Sequence, residues 1–166
     1  MRCYFLSFVL CLSAVPFACS QTECKAFFDS SDKLMTISHH TYVNHAQGKG
    51  TARVSESIVV NGASYVRIQS KWVKSPMNVQ AMHKQDLENR KNNKVSCKLV
   101  RDEAVNGEPA TVVSVHSENE DGKEDATVWI SKSRGLLLRQ EIDLGPEDHI
   151  SMRYEYTNVT APTTSP

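Results

Sequence analysis

Six histidines, five cysteines and nineteen carboxylates are the side chains of this 166-residue sequence whose chemistry could define a site. A metal centre needs imidazole or thiolate donors brought to one side by a local spacing such as His-x-His or His-x-x-x-His. His39 and His40 are adjacent on an expected strand and so face opposite sides. His45, His83, His116 and His149 fall in separate expected elements, so the sequence names no metal site and no cofactor. Nucleophilic catalysis finds no support either: there is no Gly-x-Ser-x-Gly elbow, and no cysteine is left to pair with a histidine. The acidic cluster Glu118, Glu120, Asp121, Glu124 and Asp125 surrounds a turn and lacks the regular ligand loop of a calcium site. With no catalytic residue to name, the expectation is a non-enzymatic protein.

The cysteines carry structural information instead. Arg2, the apolar run Tyr4–Val15 and the small-residue site Ala18-Cys19-Ser20 have the layout of a secretory signal peptide over 1–20, cut near Ser20/Gln21. Twelve apolar residues are too few to cross a bilayer, which takes about twenty. Cys19 behind Ala18 leaves lipid attachment open as well, with Pro16 and Phe17 standing where the lipoprotein pattern differs. Removal of the signal takes Cys3, Cys11 and Cys19 with it and leaves Cys24 and Cys97, an even pair in an oxidising compartment, periplasmic or secreted. A Cys24–Cys97 disulfide closes a long loop and stabilises the fold by about 4 kcal/mol on the chain-entropy account.

Without Arg2 the exported chain carries eighteen basic and nineteen acidic residues, with the signs mixed along its length. Such a balance excludes a basic nucleic-acid face. No segment of the mature chain is apolar enough to span a membrane. The Asn158-Val159-Thr160 sequon is an acceptor only where the source glycosylates.

The elements that must position any site follow from periodicity. Thr22 can cap a first helix on which Cys24, Phe27, Phe28, Ser31 and Leu34 share a face. Val54, Ile58 and Val60 then alternate into Asn61-Gly62, a pair suited to a type I′ hairpin turn. Val66, Ile68 and Trp72 read on as one strand that ends at Ser75-Pro76. Asn78 can cap a second helix over 79–92. Runs at 95–105, 109–118, 124–132, 136–143 and a last strand through Ile150, Met152, Tyr154 and Tyr156 are separated by Asn106-Gly107, Asp121-Gly122 and Arg134-Gly135. The reading is an α+β domain over 21–159: a strongly bent antiparallel meander, or half-barrel, of about seven strands with two covering helices. Residues 160–166 have nothing to bury and read as a disordered tail. Two helices cannot cover such a sheet completely, which leaves room for a cavity lined by adaptable bulky side chains. Trp72, Met77, Met82, Trp129 and Tyr154 are the candidates.

The run Ala126-Thr127-Val128-Trp129-Ile130-Ser131-Lys132-Ser133-Arg134-Gly135-Leu136, with Leu138-Arg139-Gln140-Glu141 after it, resembles a hairpin of LolA-like periplasmic proteins. Trp72-Val73-Lys74-Ser75-Pro76 before a helix is similar to small exported proteins of the same kind. The resemblance implies a bent antiparallel sheet with helical lids around a hydrophobic cavity. It implies a carrier whose partner is a lipid or other hydrophobic small molecule. The alternative, from another class, is an interaction module such as an inhibitor or a subunit bound to an envelope protein through a sheet edge or face.

Overall fold

The structure, a computed structural model, describes residues 20–48, 50, 52–120 and 122–164. The expected signal segment lies outside these residues except for Ser20, where the first helix already begins. Nine strands and two helices follow one another as α1 (Ser20–Leu34), β1 (His39–Gln47), β2 (Arg53–Val60), β3 (Ala63–Ile68), β4 (Lys71–Lys74), α2 (Val79–Asn92), β5 (Lys94–Val105), β6 (Glu108–Asn119), β7 (Gly122–Ser131), β8 (Leu137–Gly145) and β9 (Asp148–Glu155).

The strands form one antiparallel sheet in the order β4-β3-β2-β1-β9-β8-β7-β6-β5. Two meanders are thus joined where β1 pairs with β9, and α2 carries the chain from one edge of the sheet to the other. The expected single meander is corrected on this point: β1 to β4 fold back on one another before the chain leaves.

The count of nine rather than about seven has two local causes. The strand expected at His39 and His40 is present as β1, but its run His-His-Thr-Tyr-Val-Asn-His has little apolar alternation and stands outside the seven runs that make up the expected count. The run through Val66 and Trp72 is two strands, because Gln69 takes a left-handed φ of 56° and turns the chain tightly. Glutamine is seldom placed there, so the turn leaves no sequence signal. The hairpin also moves Trp72 to the other face: it pairs with Arg67, whereas Val66 pairs with Val73.

Other turn signals hold. Asn61 and Gly62 have φ of 51° and 75°, and Asn106 and Gly107 have 51° and 83°, the left-handed pair that a type I′ turn demands. Asn78 caps α2, its Oδ1 accepting from the Ala81 amide at 2.8 Å. Thr22, expected to cap α1, instead lies in its first turn.

The core forms under α1. Cys24 is bonded to Cys97, with 5.1 Å between their Cα atoms, which pins the helix to β5. Phe27, Phe28 and Leu34 pack on Val113, Val115, Val128, Ile130, Leu137 and Ile142. Neighbouring Val112 and Val113 are both fully buried, so β6 is covered on both faces. A second cluster, Ala110, Val112, Trp129 and Leu138, fills the face opposite α1, with Val105 and Tyr156 against it. The sheet bends far enough that Val54 of β2 and Val105 at the end of β5 line one cavity, although six steps of the strand order separate them.

The chain after β9, for which the sequence predicts disorder, returns to the β4 edge, where Thr164 makes an isolated parallel bridge with Trp72. Among the described residues no helix is long and apolar enough to cross a membrane.

Candidate functional site

Between the helices and the sheet lies a cavity of about 200 Å³. Its apolar lining comes from the buried face of α1, Phe27 and Phe28, whose rings stand 5.3 Å apart, and from Val95, Val115 and Ala126 on β5, β6 and β7. These strand residues point toward the helix because the period-two alternation that buries Cys97 and Val113 buries them too. The polar lining comes from Ser31, Asp86, Arg90, Asn93, Ser117, Glu124 and Gln140. Arg90 lies over the Phe28 ring at 4.9 Å and pairs with Asp32 at 2.8 Å and Asp86 at 2.5 Å. It thereby ties α2 to α1 and spends its charge on two carboxylates.

A larger cavity of about 430 Å³ opens at the other end of α2, among Met35, Val59, Gly62, Val79 and His83. His83 lines this one and Asp86 the first. The helix seam at Asp32, His83, Asp86 and Arg90 is therefore a polar partition between two spaces next to the same helix.

The face opposite α1 has a different character. Arg153 lies over Tyr42 at 4.5 Å and Arg139 over Trp129 at 4.6 Å. His40 stacks on Tyr42 at 4.1 Å and meets Trp72 edge-on at 5.9 Å. Tyr42, Arg139 and Arg153 line the cavity of about 340 Å³ that the bend creates there. Arg67 pairs with Glu56 between β3 and β2, whereas Arg139–Glu141 and Arg153–Glu155 are pairs within β8 and within β9, so each cation is matched by a nearby carboxylate.

The five residues expected to line a cavity do not converge. Trp72 is half-buried on β4 and Trp129 is buried on β7, both on the face opposite α1. Met77 is exposed ahead of α2, and Met82 is half-buried on that helix. Tyr154 alone belongs to the core under α1. Its hydroxyl donates to Gln140 Oε1 at 3.3 Å, which supports a wall of the smaller cavity. Burial pushes the Tyr154 phenol well above its ordinary value, and the same cause raises Tyr156. Sequence reasoning missed Val95, Val115 and Ala126, which are ordinary strand positions until α1 and α2 are laid over them.

Five histidines have local partners. His39 is buried, its Nδ1 donating to the Ile37 carbonyl at 2.9 Å, and burial lowers its pKa. His40 pairs with Glu56, His45 with Asp148, His116 with Asp125 and His149 with Asp143. His83 differs in standing beside two aspartates, Asp86 at i+3 on α2 and Asp32 from α1. A search for His-x-His and His-x-x-x-His passes over this set, because one ligand is an aspartate at i+3 and another comes from a different helix. At the β7–β8 turn, buried Ser131 donates to Glu108 and accepts from the Arg134 amide at 3.1 Å, an arrangement that fixes the turn.

No protein family matches the sequence, and no curated protein does. The fold, by contrast, has relatives among solved structures. Lipoprotein LppX of Mycobacterium tuberculosis superposes with a TM-score of 0.57 at 14% identity, over 84% of this chain and 97% of its own. LprF from Mycobacterium bovis superposes with a TM-score of 0.50 at 14% identity, over 89% and 97%. A LolA superfamily protein from Nitrosomonas europaea also matches, at a TM-score of 0.28 and 8% identity over 72% and 84%, too loose an overlap to bear on the fold. The likeness to LppX and LprF is one of fold. The bent sheet with helical lids that the LolA-like resemblance implies is the architecture observed.

Proposed function

We propose that this is an exported, non-enzymatic protein that binds a lipid or other hydrophobic small molecule between its sheet and its helices. The observation that carries the reading is the cavity between α1 and the sheet, with Phe27, Phe28, Val95, Val115 and Ala126 as its apolar walls, in a fold shared with LppX and LprF. Burial of apolar ligand surface there drives binding at about 25 cal/mol per Å². At about 200 Å³ the cavity is smaller than the ~300–1,000 Å³ that encloses a drug-sized ligand. A longer ligand therefore needs the space beyond the α1–α2 partition, where Met35, Val59 and Val79 continue the apolar lining. The cation of the lining, Arg90, is already paired with Asp32 and Asp86. The polar groups left, Ser31, Asn93, Ser117, Gln140 and the carboxylate of Glu124, suit an uncharged head group better than a free carboxylate. Export to an oxidising compartment, periplasmic or secreted, accords with the Cys24–Cys97 disulfide.

The test is native mass spectrometry of the protein purified with its disulfide intact, followed by titration with a fluorescent uncharged acyl ester. A co-purifying hydrophobe, or uptake of the probe that Ala126→Leu weakens at least fivefold in a folded variant, supports the reading. A ligand-free mass together with no probe uptake overturns it. The second reading, an interaction module for an envelope protein, is favoured by β5, a twelve-residue outer strand with Leu99 and Val100 exposed. A partner strand could add to that edge.

A further inference from the structure

Where α1 and α2 meet, three side chains with metal-ligand atoms converge. Asp32 comes from α1, while His83 and Asp86 stand three residues apart on α2, the spacing that places both on one helix face. Their donor atoms lie within 4.8 Å of one another. Asp32 Oδ1, His83 Nδ1 and Asp86 Oδ2 are all sealed from solvent; the two oxygens lie against the Arg90 guanidinium, and His83 Nδ1 has no partner. An unpartnered imidazole nitrogen beside two carboxylates is a donor set that a metal ion would satisfy.

Arg90 meets this need in part. Its guanidinium is 2.8 Å from Asp32 and 2.5 Å from Asp86. Even so, Arg90 Nη2 and the two carboxylate oxygens miss hydrogen-bond geometry, and His83 Nδ1 receives nothing. Two aspartate side chains face one guanidinium here, so carboxylates outnumber the cation that pairs with them and a dication has ligands to compete for.

We propose that Asp32, His83 and Asp86 form a site for a divalent transition-metal ion of the zinc class, which competes with Arg90 for the carboxylates and clasps α2 to α1. One imidazole and two carboxylates are donors that zinc accepts, and water completes four-coordination. Each donor has to move inward by less than about 1 Å to reach bonds of ~2.0–2.2 Å. Because His83 faces one cavity and Asp86 the other, the ion sits in the wall between them and holds that wall closed. The site stands whether or not either cavity takes a hydrophobic ligand.

The experiment is zinc titration of the metal-free protein, disulfide intact, by equilibrium dialysis and calorimetry, with circular dichroism to confirm that each variant is folded. Wild type is expected to take up one zinc per chain. His83→Gln and Asp86→Asn should each weaken binding tenfold or more, whereas Arg90→Gln, which removes the competing cation, should strengthen it. A purely structural Arg90 clasp does not produce that opposite sign. Absence of stoichiometric uptake by both wild type and Arg90→Gln overturns the proposal. So does uptake that persists unchanged in His83→Gln, since the ion would then reside on one of the surface His–carboxylate pairs.

Discussion

The sheet has two halves made of similar residues that end in opposite states. In β6 and β7, Val112, Val113, Val115, Val128 and Ile130 are buried under α1 or within the bend, while Val100 on the outer strand β5 stays exposed. In β3 and β4, beyond the buried Ile58 and Val60 of β2, Val66, Ile68 and Val73 remain exposed, Ile68 at 57%. Register puts Val66 on the α1 side, through Ser57, Thr41 and Tyr154, yet α1 packs on β5 to β8. The difference lies in what covers the strands and hardly at all in the strands themselves. One disulfide and one amphipathic helix decide which half becomes core, and the other half keeps apolar side chains available to a ligand or partner.

That contrast can be broken most directly at the staple. Replacing Cys24 and Cys97 together by serine frees α1 from β5 and should cost about 4 kcal/mol of unfolding free energy in urea, most of it in the covered half. Trp129→Ala removes a 3%-exposed ring from the cluster opposite α1 and should cost about 3 kcal/mol by the same measurement. Loss of much less than this from either variant would mean that the two halves are held alike.

Glu108→Gln should cost about 1 kcal/mol, because Arg134 and Ser131 both donate to the carboxylate at the partly exposed β7–β8 turn. The Arg134 guanidinium holds the Glu108 carboxyl below its usual value. Its contribution is therefore fully present above the unfolded carboxylate pKa of about 4.3 and is lost as pH falls through the folded value. His39 acts in a higher window. Burial lowers its folded pKa, so stability is fully present above the unfolded value of about 6.5 and declines as pH falls below it. His39→Gln should flatten the stability curve between pH 6.5 and 5, as measured by thermal melts.

The smallest effect belongs to the open half. Val66→Thr and Ile68→Thr should each change stability by no more than about 0.5 kcal/mol. The same substitutions should reduce uptake of a hydrophobic probe if ligand spreads onto that face.

The sequence by itself determined everything that depends on near neighbours. Asn-Gly pairs set two hairpins because only they take the required positive φ cheaply. Asn78 set the start of α2. Alternation fixed which residues of β5 to β9 face together, and an even pair of cysteines marked the staple. Tertiary structure decided whatever depends on distant segments meeting. The pairing of β1 with β9 rests on partners more than a hundred residues apart, which local periodicity does not encode. Gln69 turns β3 into β4 because the hairpin packs, against the residue's own preference. The cavity lining and the Asp32, His83 and Asp86 cluster exist only once α2 has crossed from one sheet edge to the other beside α1. Side chains drawn from separate elements carry no shared spacing in the sequence, so their chemistry becomes legible only after the chain has folded.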